Sequence, residues 1–187
     1  MPRKLSLGLA ALLVTLSAHA APPAAAEDDI GRFMAEKGLL SRLEQVRATV
    51  ADRTGELVVT AMGFLGVPYR RGGNSVDMGG FDCSGFVKAM YEQTLGLILP
   101  RRANEQAAAT QKIDQQDLQP GDLVFFNTMR AAFSHVGIYV GDGKFIHSPK
   151  PGAEVRVEDM GMSYWSRRFD GARRVVPVAG TASSQQP

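Results

Sequence analysis

One cysteine, Cys83, and three histidines, His19, His135 and His147, are the residues of this 187-residue chain whose types could combine in nucleophilic chemistry. A solitary cysteine cannot close an internal disulfide, so it either packs as a small apolar side chain or serves as a reactive thiol. Cys83 opens a segment in which Phe86, Val87, Met90, Tyr91 and Leu95 recur at helical spacing, which places it in the first turn of a predicted helix. Unpaired N–H groups and the positive end of the helix dipole favour a thiolate there. A cysteine at such a position is expected to titrate below its free value of about 8.5.

The histidines narrow the partners. Residues 1–20 read as a secretory signal: Arg3 and Lys4, an apolar run from Leu5 to Leu16, and the small-x-small site Ala18-His19-Ala20, with a second cut possible after Ala26. The run is too short for an ordinary transmembrane helix, so no stable membrane insertion is expected, and the protein is placed outside the cytoplasm, in the periplasm or cell envelope. His19 leaves with the signal. Any cysteine–histidine chemistry therefore uses Cys83, His135 and His147. An unpaired cysteine in an oxidising compartment itself points to a reactive thiol or an intermolecular bridge. Losing Arg3 and Lys4 also takes Lys plus Arg from 21 down to the Asp plus Glu count of 19. The formally neutral product lacks the charge footprint of a nucleic-acid binder.

The elements that must position these residues follow from periodicity. Residues 21–29 form an Ala- and Pro-rich flexible leader, and 30–54 a helical appendage with stripes at Ile30, Phe33, Met34 and at Leu40, Leu43, Val46, Val50, interrupted by Gly38. A domain over 55–176 begins with a helix from Glu56 to about Leu65, stopped by Gly66 and Pro68, which delivers Tyr69. A glycine-rich loop leads to the cysteine helix, expected to run to about Thr94, and a short helical piece spans Ala103 to Gln111. After Pro120-Gly121 the period changes to that of strands: Asp122–Phe126, Phe133–Val140, Lys144–His147, Glu154–Val157, and a closing strand over Ala172–Val176, with an amphipathic piece at Tyr164, Trp165 and Phe169. Residues 177–187 read as a disordered tail. Helices first and strands second imply an α+β domain, its helices packed on an antiparallel sheet.

Alternation on Phe133–Val140 puts Phe133, His135, Gly137 and Tyr139 on one face and Val136, Ile138 and Val140 on the other, core-facing one. His147 joins the face of His135 only if the hairpin pairs Tyr139 with Phe145. A three-residue Gly141-Asp142-Gly143 loop, with Val140 opposite Lys144, achieves this, whereas a two-residue Asp142-Gly143 turn would carry His147 to the wrong face. With the cysteine helix on this sheet, the set becomes a nucleophile, a base and a group that orients the base. The same three residue types also suit zinc, but no short CxxC or HxxxH spacing is present, so no metal or cofactor is expected.

Six ordered motifs resemble the NlpC-type papain-like cysteine peptidases of bacterial cell walls. They are Gly66-Val67-Pro68-Tyr69, Phe81-Asp82-Cys83-Ser84-Gly85-Phe86-Val87, Leu99-Pro100-Arg101, Gly121-Asp122-Leu123-Val124-Phe125-Phe126, Ser134-His135-Val136-Gly137-Ile138-Tyr139-Val140-Gly141 and Phe145-Ile146-His147. The resemblance implies a papain-like fold and hydrolysis of peptidoglycan stem peptides, typically between D-glutamate and diaminopimelate. It gives Cys83 the nucleophile's role, His135 that of general base and acid, His147 that of orienting member, and Tyr69 a place near the oxyanion. It also implies that Asp82 and Ser84 recognise a free stem-peptide amine; Asp82 is equally a favoured helix N-cap. Arg101 is a candidate for a substrate carboxylate, as is Lys150. Many such proteins carry LysM or SH-three-like wall-binding modules, and none is legible here, which leaves targeting to a protein partner or the substrate as soluble fragments. A papain-like acyltransferase or amidase, and an inactive wall-peptide binder, are the alternative readings.

Overall fold

The change of period at Pro120-Gly121 is a change of layer. The computed structural model describes residues 38–176; the expected signal, leader, first appendage stripe and tail lie outside them. Helix α1, Leu39–Met62, is continuous. The sequence suggested a fresh helix from Glu56, but Thr54-Gly55 lies inside α1, because a single glycine costs a helix only about 1 kcal/mol. Leu57 and Ala61 of α1 are fully buried. A two-stranded ribbon, β1 (Asn74–Ser75) with β2 (Gly80–Phe81), occupies the glycine-rich stretch, and α2, Cys83–Leu95, follows directly. The short α3, Ala103–Ala108, ends before Gln111, which instead opens strand β3, Gln111–Ile113.

The main sheet comprises β3, β4 (Leu123–Phe126), β5 (His135–Gly141), β6 (Lys144–His147), β7 (Arg156–Asp159) and β8 (Phe169–Arg174). All pairings are antiparallel, in the order β3-β8-β4-β5-β6-β7. A one-turn helix, α4 (Ser163–Ser166), sits between β7 and β8.

Both faces of the sheet are covered. On one, Leu123, Phe125, Val136, Ile138 and Ile146 pack with Leu57 and Ala61 of α1 and with Phe86, Val87, Met90 and Tyr91 of α2. On the other, Val124, Phe126 and Phe145 pack with Met160 and Trp165. Phe133 does not continue the alternation expected of it: it lies before β5 with φ 51°, and its ring packs on Phe125 in the first cluster.

The hairpin joining β5 to β6 also differs from expectation. Its loop is the two-residue Asp142-Gly143 turn, both residues left-handed, with Gly141 rather than Val140 opposite Lys144. A bulge between Tyr139 and Gly141 then absorbs one residue and restores Tyr139 opposite Phe145 and Ile138 opposite Ile146. The histidines share a face after all, through a bulge rather than a longer loop.

Candidate active site

Helix α2 starts where its sequence says it should. The Asp82 side chain accepts the Gly85 N–H at 2.8 Å as N-cap, and Cys83 is the first helical residue. Gly85 is required by a close approach, since a Cβ there would run into the Gly73 carbonyl oxygen. The segment before the cysteine is held from two sides. Tyr69 bridges to Phe81 and donates its N–H to Ala153 O at 2.8 Å, while the buried Ser148, next to His147, donates its hydroxyl to Phe81 O at 2.7 Å. Thus the end of β6 is stitched to the entry of α2.

The cysteine and the histidines come from opposite sides of the sheet. Helix α2 packs on the aliphatic face, whereas His135 and His147 point to the face covered by Trp165. They meet at the start of β5: the backbone N–H groups of Val136, Ser84 and Cys83 itself are directed at the thiol. Cys83, His135 and Tyr69 line one cleft of about 490 Å³, walled further by Trp165, Lys150 and Arg156.

The two histidines are buried, His135 3% and His147 0% exposed, not half-exposed as sheet residues of their type usually are. His135 Nε2 lies 2.7 Å from His147 Nδ1, and His147 Nε2 lies 2.7 Å from Glu158 Oε2. The other Glu158 oxygen accepts Arg156 Nη2 at 2.9 Å. Trp165 stacks on His135 with ring centroids 5.5 Å apart and meets His147 edge-on at 5.1 Å. Both nitrogens of His147 are engaged within this chain of bonds, which disfavours the zinc alternative.

Burial dominates the electrostatics. It pushes the Cys83 thiol above its usual range, with the Asp82 carboxylate adding to it, and the three N–H groups only partly oppose this. The expectation of a thiol lowered by the helix terminus is therefore corrected, because desolvation and the capping carboxylate outweigh the dipole. Burial, with the neighbouring His147, holds His135 well below the usual imidazole range; burial also lowers His147, against the pull of Glu158. Burial pushes Glu158 up, but the bonds from His147 and Arg156 outweigh it and hold the carboxyl below its usual value. Tyr69 is raised, by burial first and then by Cys83 and Asp82.

Asp82, Ser84 and Arg101 form a cluster of their own. Arg101 grips Asp82 with both terminal nitrogens, at 2.9 and 2.6 Å, and reaches Ser84 Oγ at 3.1 Å. Gly72 N–H donates to the same carboxylate at 3.0 Å. None of the three lines the cleft that holds Cys83 and His135. Burial pushes Asp82 up, but Arg101 and the Gly85 and Gly72 amides more than compensate, so it stays ionised well into acid. Sequence reasoning missed Glu158 and Arg156. The expected strand ended at Val157; extending the Arg156-Val157-Glu158 alternation by one step would have put both charges on one face.

A cysteine at a helix start, a buried histidine pair on an antiparallel sheet and a glycine-bounded entry loop define a papain-like α+β domain. Residues 66–174 match the NlpC/P60 family, and the chain belongs to it. It is 42% identical over 133 residues to murein DD-endopeptidase MepH of Escherichia coli (strain K12), covering 70% of this chain and 49% of that protein. It is 36% identical over 134 residues to gamma-D-glutamyl-L-lysine dipeptidyl-peptidase of Bacillus subtilis (strain 168), covering 71% and 43%. The chain thus spans less than half the length of these curated relatives. Among solved structures, an NlpC/P60 family protein from Bacillus cereus ATCC 10987 superposes with a TM-score of 0.60 at 37% identity, over 68% of this chain and 40% of that one.

Proposed function

We propose that this protein is an exported cysteine peptidase of the cell envelope that hydrolyses peptide bonds in peptidoglycan. The observation that carries the reading is the buried bond sequence His135–His147–Glu158 beneath a cleft that Cys83 and His135 both line. His135 takes the thiol proton as the sulfur attacks the substrate carbonyl. The N–H groups at the start of α2, with Tyr69, stabilise the oxyanion, a contribution of roughly 3–4 kcal/mol per donor where one has been removed. Collapse releases the amine, protonated by His135, and leaves an acyl-enzyme on Cys83. Water activated by the same histidine then frees the acid. Cys83 acts as nucleophile, His135 as base and acid, His147 as the group that orients it.

The bond is the D-glutamyl–diaminopimelate linkage of stem peptides, for which Lys150 supplies positive charge in the cleft. One observation favours a second reading, cleavage of the D,D cross-link. Asp82, the residue matched to amine recognition, is already paired with Arg101, so a free amine would compete for a neutralised carboxylate. Mass spectrometry of peptidoglycan and purified muropeptides, treated with the protein or Cys83→Ala, tests both. Cys83-dependent products beginning with diaminopimelate support the first bond, loss of cross-linked dimers without them the second. No Cys83-dependent cleavage of either substrate overturns the hydrolase reading.

A further inference from the structure

The carboxylate of Glu158 decides which nitrogen of each histidine carries a proton, and this gives it a part in the reaction. An ionised carboxylate only accepts hydrogen bonds, so at 2.7 Å from Glu158 Oε2, His147 Nε2 must be the protonated nitrogen of that ring. In the neutral ring Nδ1 is then an acceptor. His135 Nε2, 2.7 Å from it, must be the donor, and His135 Nδ1 is left unprotonated. His135 Nδ1 is thus the nitrogen free to receive the thiol proton. If the carboxylate were absent, both rings could adopt the opposite tautomers within the same 2.7 Å contact, and His135 Nδ1 would carry a hydrogen.

The surroundings support the assignment. Glu158 lies on β7, where it pairs with Phe145, while its neighbour Arg156 pairs with His147, so both charges sit on the histidine face. Arg156 holds the second oxygen at 2.9 Å and keeps the carboxylate from rotating away from His147. Trp165 covers both rings, so no water needs to be displaced for the chain of bonds to persist. The charged and titratable groups of the cluster are Cys83, His135, His147, Arg156 and Glu158, with Tyr69, Lys150 and Tyr164 on the cleft wall.

We infer that Glu158, held by Arg156, is a positioning residue of the active site: it fixes the tautomers of His147 and His135 and stabilises the positive charge that reaches His135 when Cys83 is deprotonated. This rests on the cysteine-peptidase reading, and its tests include two that need no substrate.

Glu158→Gln keeps the shape but offers an amide that can accept or donate. It should lower kcat by about ten- to hundred-fold, less than the roughly 10⁴-fold loss when the carboxylate touching a catalytic histidine is neutralised, because one more imidazole intervenes. KM should stay within about two-fold. Iodoacetamide alkylation of Cys83 at neutral pH should slow by a similar factor. In Cys83→Ala protein, imidazole ¹⁵N spectra should show a protonated Nε2 on both rings, and adding Glu158→Gln should mix in the other tautomer. Glu158→Asp should recover part of the alkylation rate. Unchanged alkylation and unchanged tautomers in Glu158→Gln would overturn the inference. If the wild type cleaves no peptidoglycan, the spectra and alkylation still decide the role of Glu158 while the substrate reading fails separately.

Discussion

Replacing Gly137 by alanine should disable the site by moving one strand against another. Gly137 lies on β5 between the histidine of its own strand and His147 on β6. A Cβ at this position would stand 2.6 Å from Phe145 Cδ2, 2.9 Å from the Ile146 carbonyl oxygen and 3.2 Å from His147 Cβ. Ordinary contacts need roughly 3.4–4 Å, so β5 and β6 must part by about 0.5–1 Å, since the carbonyl cannot rotate away. Overpacking of this kind costs about 1–3 kcal/mol. The same displacement stretches the 2.7 Å bond between His135 and His147 past about 3.2 Å, the edge of useful hydrogen-bond geometry. A misplacement near 1 Å can cost about a hundred-fold in rate. Circular-dichroism melts should show a fall in Tm of about 3–12 °C, at about 3–4 °C per kcal/mol for a domain of this size. Iodoacetamide alkylation at 25 °C, where the variant is still folded, should slow by about ten- to hundred-fold. Wild-type Tm would refute the packing argument. A lowered Tm with wild-type alkylation would refute the link from Gly137 to the histidines.

Three further outcomes follow from the geometry. Tyr69→Phe should lower kcat by about 10²-fold with little change in KM or Tm, if its hydroxyl meets the oxyanion; an unchanged kcat removes it from the mechanism. Arg174→Ala should destabilise by about 2–3 kcal/mol, because Arg174 holds both oxygens of the buried Asp122, at 2.8 and 2.7 Å, but is itself 34% exposed; urea midpoints check this against Lys88→Ala, whose surface pair is worth at most about 1 kcal/mol. Acid should destabilise the protein in two stages. His135 and His147 are lowered by burial, so the unfolded chain binds protons first and stability is lost from about pH 6.5 downward; Glu158 and Asp82 are held low, so their contribution, present above about pH 4, is lost as pH falls through their folded values. Tm of Cys83→Ala protein between pH 8 and 3 reads this directly. A flat Tm from pH 7 to 5 would contradict buried, neutral histidines.

What was legible in the sequence was whatever depends on period and sequence-local chemistry. Cys83 at a helix start followed from the apolar spacing behind it and from Asp82 before it. The common face of His135 and His147 followed from alternation plus the demand that they meet. What was hidden depends on residues distant in sequence or on local exceptions. The bulge that preserves the histidine register has no signature of its own beyond Gly141. A separate helix was expected to start at Glu56, yet Gly55 costs α1 little beside the packing of Leu57 and Ala61. Strand β3 is a three-residue edge strand paired, among the described residues, with β8 alone, and is too short to show alternation. The raised thiol was missed because a dipole can be read from a helix start, whereas desolvation can be read only from the packing around it.

The nucleophile is anchored in one apolar cluster and the base in another, with the sheet between them. Each cluster can therefore drift in composition under its own constraints, one governing where the sulfur stands, the other how readily the imidazole takes a proton. Substitutions beneath α2 change aim, and substitutions around Trp165 change basicity. A lineage could retune its working pH without disturbing the architecture that presents the thiol.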